Sequence, residues 1–168
     1  MPRVLAIRDA IVAALDAITV SDGFAHDLSG RVRPAFVDVA IGSLPIVFVG
    51  LRREDSEATV VHDAYQCTLS FEVLAIPAQP FPDPTTDAEA SSNADAYASL
   101  AADLKRALMA QRDRDPPLGI PGVLDVRIDG WEILPRDGDV VFDGVGLSLS
   151  VVYRHDSGDP ETYLGTSL

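Results

Sequence analysis

The sequence predicts an α+β fold: a single, mostly antiparallel sheet of four to five strands with two helices packed on one face. Three observations predict it. Two segments repeat apolar residues at steps of three and four, and several others alternate with a period of two. The clearest alternations leave one face apolar and the other small or polar, as in a sheet covered on one side only. A length of 168 residues suits one domain, 1–168, large enough to bury about two thirds of its unfolded surface.

The elements follow in order. Val4, Ile7, Ile11, Leu15 and Ile18 form one helical stripe that starts after Pro2 and ends at the breakers Ser21, Asp22 and Gly23. Its flanks carry Ala6, Ala10, Ala13, Ala14 and Ala17, which leave room for close packing of a second element or subunit. From Arg33 the period becomes two, with Ala35, Val37, Val39 and Ile41 against Phe36, Asp38 and Ala40. After "GSLP" comes "IVFVGL", which suggests a hairpin turned at Gly42 and Pro45, followed by "RREDSE" as a charged loop. In "AYQCTLSFEVLAI" one face collects Tyr65, Cys67, Leu69, Phe71, Val73 and Ala75. Residues 77–92 hold Pro77, Pro80, Pro82 and Pro84 and predict a long surface excursion.

A second helix is expected from Ser92, with Asp95 at capping-box-like spacing and Tyr97, Leu100, Leu104 and Leu108 as its stripe, stopping by Pro116 and Pro117. Lys105, Arg106 and Arg112 stand toward its C-terminal end, where the helix dipole favours cations. In "VLDVRIDGWEIL", Leu124, Val126 and Ile128 face inward and Gly130 shifts the phase, placing Trp131 and Ile133 on the packed side. "PRDGD" is a hairpin turn into a last strand. There Val145, Leu147, Leu149, Val151 and Tyr153 share a face, and pairing stops near Tyr153. An acidic C-terminal tail follows from about residue 156.

Composition bounds the function. Hydrophobic residues make up 47% and charged residues 23%, an ordinary globular balance. The single cysteine, Cys67, lies within an apolar alternation and rules out an intramolecular disulfide. A net charge of −13, with 26 acidic residues against 13 basic ones, makes most of the surface repel DNA. Arg8, Asp9 and Asp16 interrupt any N-terminal signal core, and "VAIGSLPIVFVGL" is far short of the roughly twenty residues of a membrane span. A soluble, non-secreted protein is expected.

No catalytic, cofactor or metal motif is found. His26, His62 and His155 lack ligand spacing and fit turns and strand ends. The His155, Asp156 and Asp159 cluster sits in a Gly-containing terminal segment, without the rigid support catalysis needs. "GDVVFDGVG" has glycines, but its acidic residues oppose phosphate binding. Arg31, Arg33, Arg52 and Arg53 are the nearest approach to a basic patch; Glu54 and Asp55 neutralise part of it. Such a segment can meet a partner of opposite local charge. The candidate protein-interface residues are Arg52, Arg53, Glu54 and Asp55, with Phe81 in the Pro-rich excursion and Tyr163 and Leu164 in the tail.

The order of "IRDAIVAAL", "YQCTLSFEVLAI", "AYASLAADLKRALMA", "VRIDGWEI" and "LSLSVVYRHDSGDP" resembles the tail terminator, or tail completion, proteins of long-tailed phages with non-contractile tails. The resemblance implies a structural virion subunit in the tail-neck region, assembled in the host cytoplasm. It would form a homo-hexameric ring on the tail tube protein, end tube polymerisation and meet a head-side connector or stopper protein. DNA would pass through without specific binding. Another neck, head-completion or minor tail component is the alternative, ahead of a small-ligand-binding protein or enzyme.

Overall fold

The computed structural model describes residues 3–36, 44–58, 64–77, 86–134 and 143–156. Helix α1 (Arg3–Asp16) is followed by strands β1 (Val32–Arg33), β2 (Ile46–Ala58) and β3 (Ala64–Ile76), then helix α2 (Asp87–Arg112) and strands β4 (Val123–Leu134) and β5 (Gly144–Asp156). Together the strands make one sheet in the order β1-β2-β3-β5-β4. Every pairing is antiparallel except β1 with β2. The fold is therefore the α+β arrangement the periodicities predict.

Both helices cover the same face, called inner here. Ile7, Ile11 and Leu15 of α1, with Ile18 just beyond it, and Leu100, Leu104 and Leu108 of α2 join Leu69, Phe71, Leu147, Leu149 and Val151 in one buried cluster. The helical and strand stripes read from the sequence are thus two walls of one core. At one end of the outer face a smaller cluster holds Ile46, Phe48 and Ile76, with Leu44 and Leu74 packed against it. The Phe36 ring centroid lies 5.8 Å from that of Phe48, and its edge occupies the place of a side chain at Gly50. A methyl group there would approach the ring to 2.1 Å, so glycine is what leaves room for Phe36 against the strand.

Several boundaries differ from the sequence expectation. The "RREDSE" segment is not a loop: residues 52–57 continue β2, because residues 66–70 of β3 supply a ladder for them. Charge marks an edge strand here, as edge strands commonly carry it. Val32 and Arg33 make a parallel contact with Val47 and Phe48 of β2; the expected strand and hairpin turn fall largely on residues 37–43, which lie outside the described residues. Helix α2 begins at Asp87, not Ser92. Thr86 is its N-cap, and the Thr86 hydroxyl accepts from the Glu89 amide at 3.2 Å, so residues 87–92 belong to the helix and not to the Pro-rich excursion.

In β4 Leu124 is an extra residue between Val123 and Asp125 and turns outward, leaving Val123 in the core. Trp131 and Ile133 do share the inner face with Leu147 and Val145, yet each stays 38% exposed at the sheet's edge. Strand β5 pairs beyond Tyr153 to Asp156, since Ala64 and Tyr65 of β3 continue opposite it.

Leu149 is fully buried at the centre of the inner face. Leu149→Ala should lower unfolding free energy by about 2–5 kcal/mol in denaturant titration, without changing the secondary structure seen by circular dichroism.

Candidate functional site

The sheet ends in two edges of contrasting makeup. On one side, β1 touches only the first residues of β2, and among the described residues no strand pairs with the outward side of residues 49–58. On the other side β4 has, among the described residues, a single strand neighbour, β5. Each edge has an irregularity, between Leu51 and Arg53 in β2 and between Ile128 and Gly130 in β4. Bulges and charges at edges deter indiscriminate pairing while leaving backbone groups available to a matched partner.

The outer face between these edges is small and polar. Thr68 and Ser70 of β3 lie beside Val152 and Ser150 of β5, and Glu72 lies beside Ser148. An open trough of about 400 Å³ runs over Ser70, Glu72 and Ser148. Its charges are already matched: Arg52 pairs with Glu72, and the Ser150 hydroxyl donates to Asp129 at 2.5 Å. Such a surface offers shape and register to another protein more than it offers reacting groups to a small substrate.

The four described candidates sit together on β2 but do different things. Arg52 also lies over the Phe36 ring, 5.6 Å from its centroid. Arg53 and Asp55 pair with each other at 2.5 Å on the outer face. Glu54 points the other way and accepts a hydrogen bond from the buried Tyr153 hydroxyl at 2.5 Å. Phe81, Tyr163 and Leu164 lie outside the described residues, as do His62 and Asp159. Across the sheet, β4 mirrors the β2 charges. Asp125 is held between Arg127 at 2.6 Å and Arg112 at 3.3 Å, and Arg127 leads the causes that keep its carboxyl below the ordinary range.

Two polar clamps set the shape of this frame, and sequence reading missed both. Asp103 is buried within the apolar stripe of α2, where one oxygen accepts from the amides of Ala25 and His26 at 2.9 and 3.0 Å and lies 2.8 Å from His26 Nδ1. Arg106 donates to the Gly23 carbonyl at 2.7 Å and lies over Phe24. Together they fasten the loop after α1 onto α2, so His26 is a tethered residue and not a free turn histidine. An aspartate between Leu100 and Leu104 was the available signal, because a carboxylate on an apolar stripe needs donors.

The second clamp holds the far end of the sheet. Arg3 is buried, donates to the Arg154 carbonyl at 2.8 Å and sits 5.6 Å from the Tyr153 ring centroid. His155, in a strand and not a turn, stacks on Tyr65 with ring centroids 5.7 Å apart. Burial pushes the Cys67 thiol up, and burial followed by the Glu54 hydrogen bond raises the Tyr153 hydroxyl well above the ordinary tyrosine range. Among the described residues no group of three or more His, Cys, Asp or Glu side chains is placed to hold a metal ion, and no helix is long and apolar enough to cross a membrane.

Asp103→Ala should cost on the order of 3 kcal/mol in denaturant titration, because two buried amides lose a charged acceptor. For Tyr153 the folded state holds the phenol proton more tightly than the unfolded state does. Its contribution is therefore complete below the ordinary value of about 10 and is lost as pH rises above it. Tyr153→Phe should flatten the alkaline fall in stability measured by denaturant titration from pH 9 upward; an unchanged slope would contradict this.

No protein-family model matches the chain, and a search of curated proteins finds no match to it.

Proposed function

We propose that this chain is a structural subunit of a phage tail, a tail terminator that assembles as a ring on the last ring of the tail tube, stops its growth and presents a surface to the head-side connector. The observation that carries the reading is an open antiparallel sheet, β2-β3-β5-β4, with helices on one face and an unpaired side at each end among the described residues. A subunit that closes a ring needs two different flanks, and the distinct edge strands β2 and β4 support that reading. The order of elements, with α1 first and α2 between the β2–β3 and β4–β5 pairs, supports the resemblance drawn from the sequence.

Charge supports it as well. A net charge of −13 suits a conduit through which DNA moves without adhering. Capping a polymer needs no bond to be made or broken, so the work falls to docking surfaces and not to reacting groups. In this reading Arg52, Arg53, Glu54 and Asp55 lie on a docking flank, and Phe81, Tyr163 and Leu164 extend the contacts toward the tube or the connector.

Electron microscopy of particles made without this protein tests the reading. Tails of uncontrolled length are expected. Tails of normal length that fail to join heads would instead assign the protein to the neck, and normal virions would overturn the proposal.

A further inference from the structure

Resting on the ring reading above, we infer that neighbouring copies join edge to edge, β4 of one copy adding to β2 of the next, with Leu51 facing Trp131 and Asp55 facing Arg127. The sheet's own topology supports this junction. Four consecutive antiparallel strands put β2 and β4 in opposite directions. Copies related by rotation about an axis along the strands therefore bring β4 beside β2 in antiparallel orientation.

The side chains select the register. Leu51, Trp131 and Ile133 are large apolar residues of the inner face left 44%, 38% and 38% exposed, all at the two edges. Placing Leu51 opposite Trp131 sets Val49 opposite Ile133. Continuing along the strands, Glu54 then faces Ile128, which keeps inner face against inner face only because each strand has one extra residue at this level, Arg52 in β2 and Asp129 in β4. A bulge in one strand alone would throw the two patterns out of phase.

Charge follows the same register. Arg53 faces Gly130, next to the extra residue Asp129, and Asp55 faces Arg127. Glu57 faces Asp125, whose charge is already offset within its own copy by Arg112 and Arg127. Opposite charges directly across strands stabilise pairing, and a like-charged arrangement opposes it. In a chain of net charge −13 this local matching is what allows copies to approach.

The register also sets the geometry of closure. Leu51 lies in the same cross-strand row as Ile128 within one copy, through Phe71 and Leu149, whereas the junction joins it to Trp131. That offset is about 6.8 Å over four strand spacings of about 4.8 Å, a strand tilt of about 20° from the ring axis. Tilted strands are what closed sheets have.

Cysteine cross-linking tests the junction. In a Cys67→Ser background, Leu51→Cys and Trp131→Cys together should give a ladder of linked chains under copper-phenanthroline, since directly opposed strand residues lie at disulfide distance. Leu51→Cys with Val20→Cys should not. Independently, Asp55→Arg or Arg127→Asp alone should raise the dissociation constant of assembly at least about fivefold, and the two together should restore it. Rings seen by microscopy without the Leu51 to Trp131 link or the charge rescue would overturn the edge junction while leaving the terminator reading intact. A wild-type chain that stays monomeric at all concentrations, with tail tubes added, would overturn both.

Discussion

The ladder between β3 and β5 is the constraint on which the other features depend. It runs over twelve positions, from Ala64 opposite Asp156 to Ala75 opposite Val145. Once these two strands pair, Cys67, Leu69, Phe71 and Val73 fall on the same side as Tyr153, Val151, Leu149 and Leu147, and that side must be covered. Two helices do so. Their coverage leaves the reverse face, with Thr68, Ser70, Ser148 and Ser150, to water or to a partner. The same ladder sets β2 and β4 on opposite flanks, about 14 Å apart across three strand spacings.

Polar contacts then hold the frame in one arrangement. Asp103 and Arg106 fix the loop after α1 to α2, so the two helices cannot slide independently over the sheet. Glu54 ties the charged half of β2 to Tyr153 two strands away, and Arg3 ties the start of α1 to the end of β5. An edge strand that carries this much charge would otherwise fray. Stiff flanks favour the proposed edge pairing, because a preformed edge loses less conformational freedom on pairing than a loose one does.

Much of this was legible in the sequence, because periodicity reports which side of a strand or helix is apolar. The stripes at Ile7, Ile11 and Leu15 and at Leu100, Leu104 and Leu108, the alternation of β3 from Cys67 to Ala75 and that of β5 lie in the core as read, whereas Tyr65 at the end of β3 stays exposed. What failed depended on partners that a single segment does not reveal. Residues 52–57 read as a loop because charge outweighed alternation, yet the neighbouring β3 makes them a strand. Trp131 and Ile133 read as packed because their phase was right, but covering them would take a helix or a second chain beyond the edge. Asp103 was passed over because its donors, Ala25 and His26, come from seventy-odd residues earlier in the chain.

The central claim is that the flanks of this sheet, and not an enclosed pocket, are the working surface. Amide hydrogen exchange on the free subunit and on the assembled form tests it most directly, since an edge that gains a strand gains hydrogen bonds on its outward side. The account predicts new protection in residues 51–57 and 126–133, with α1 and α2 exchanging as they do in the free subunit. Protection confined to the helices or to the outer face, with both edges exchanging at their free rates, would contradict it.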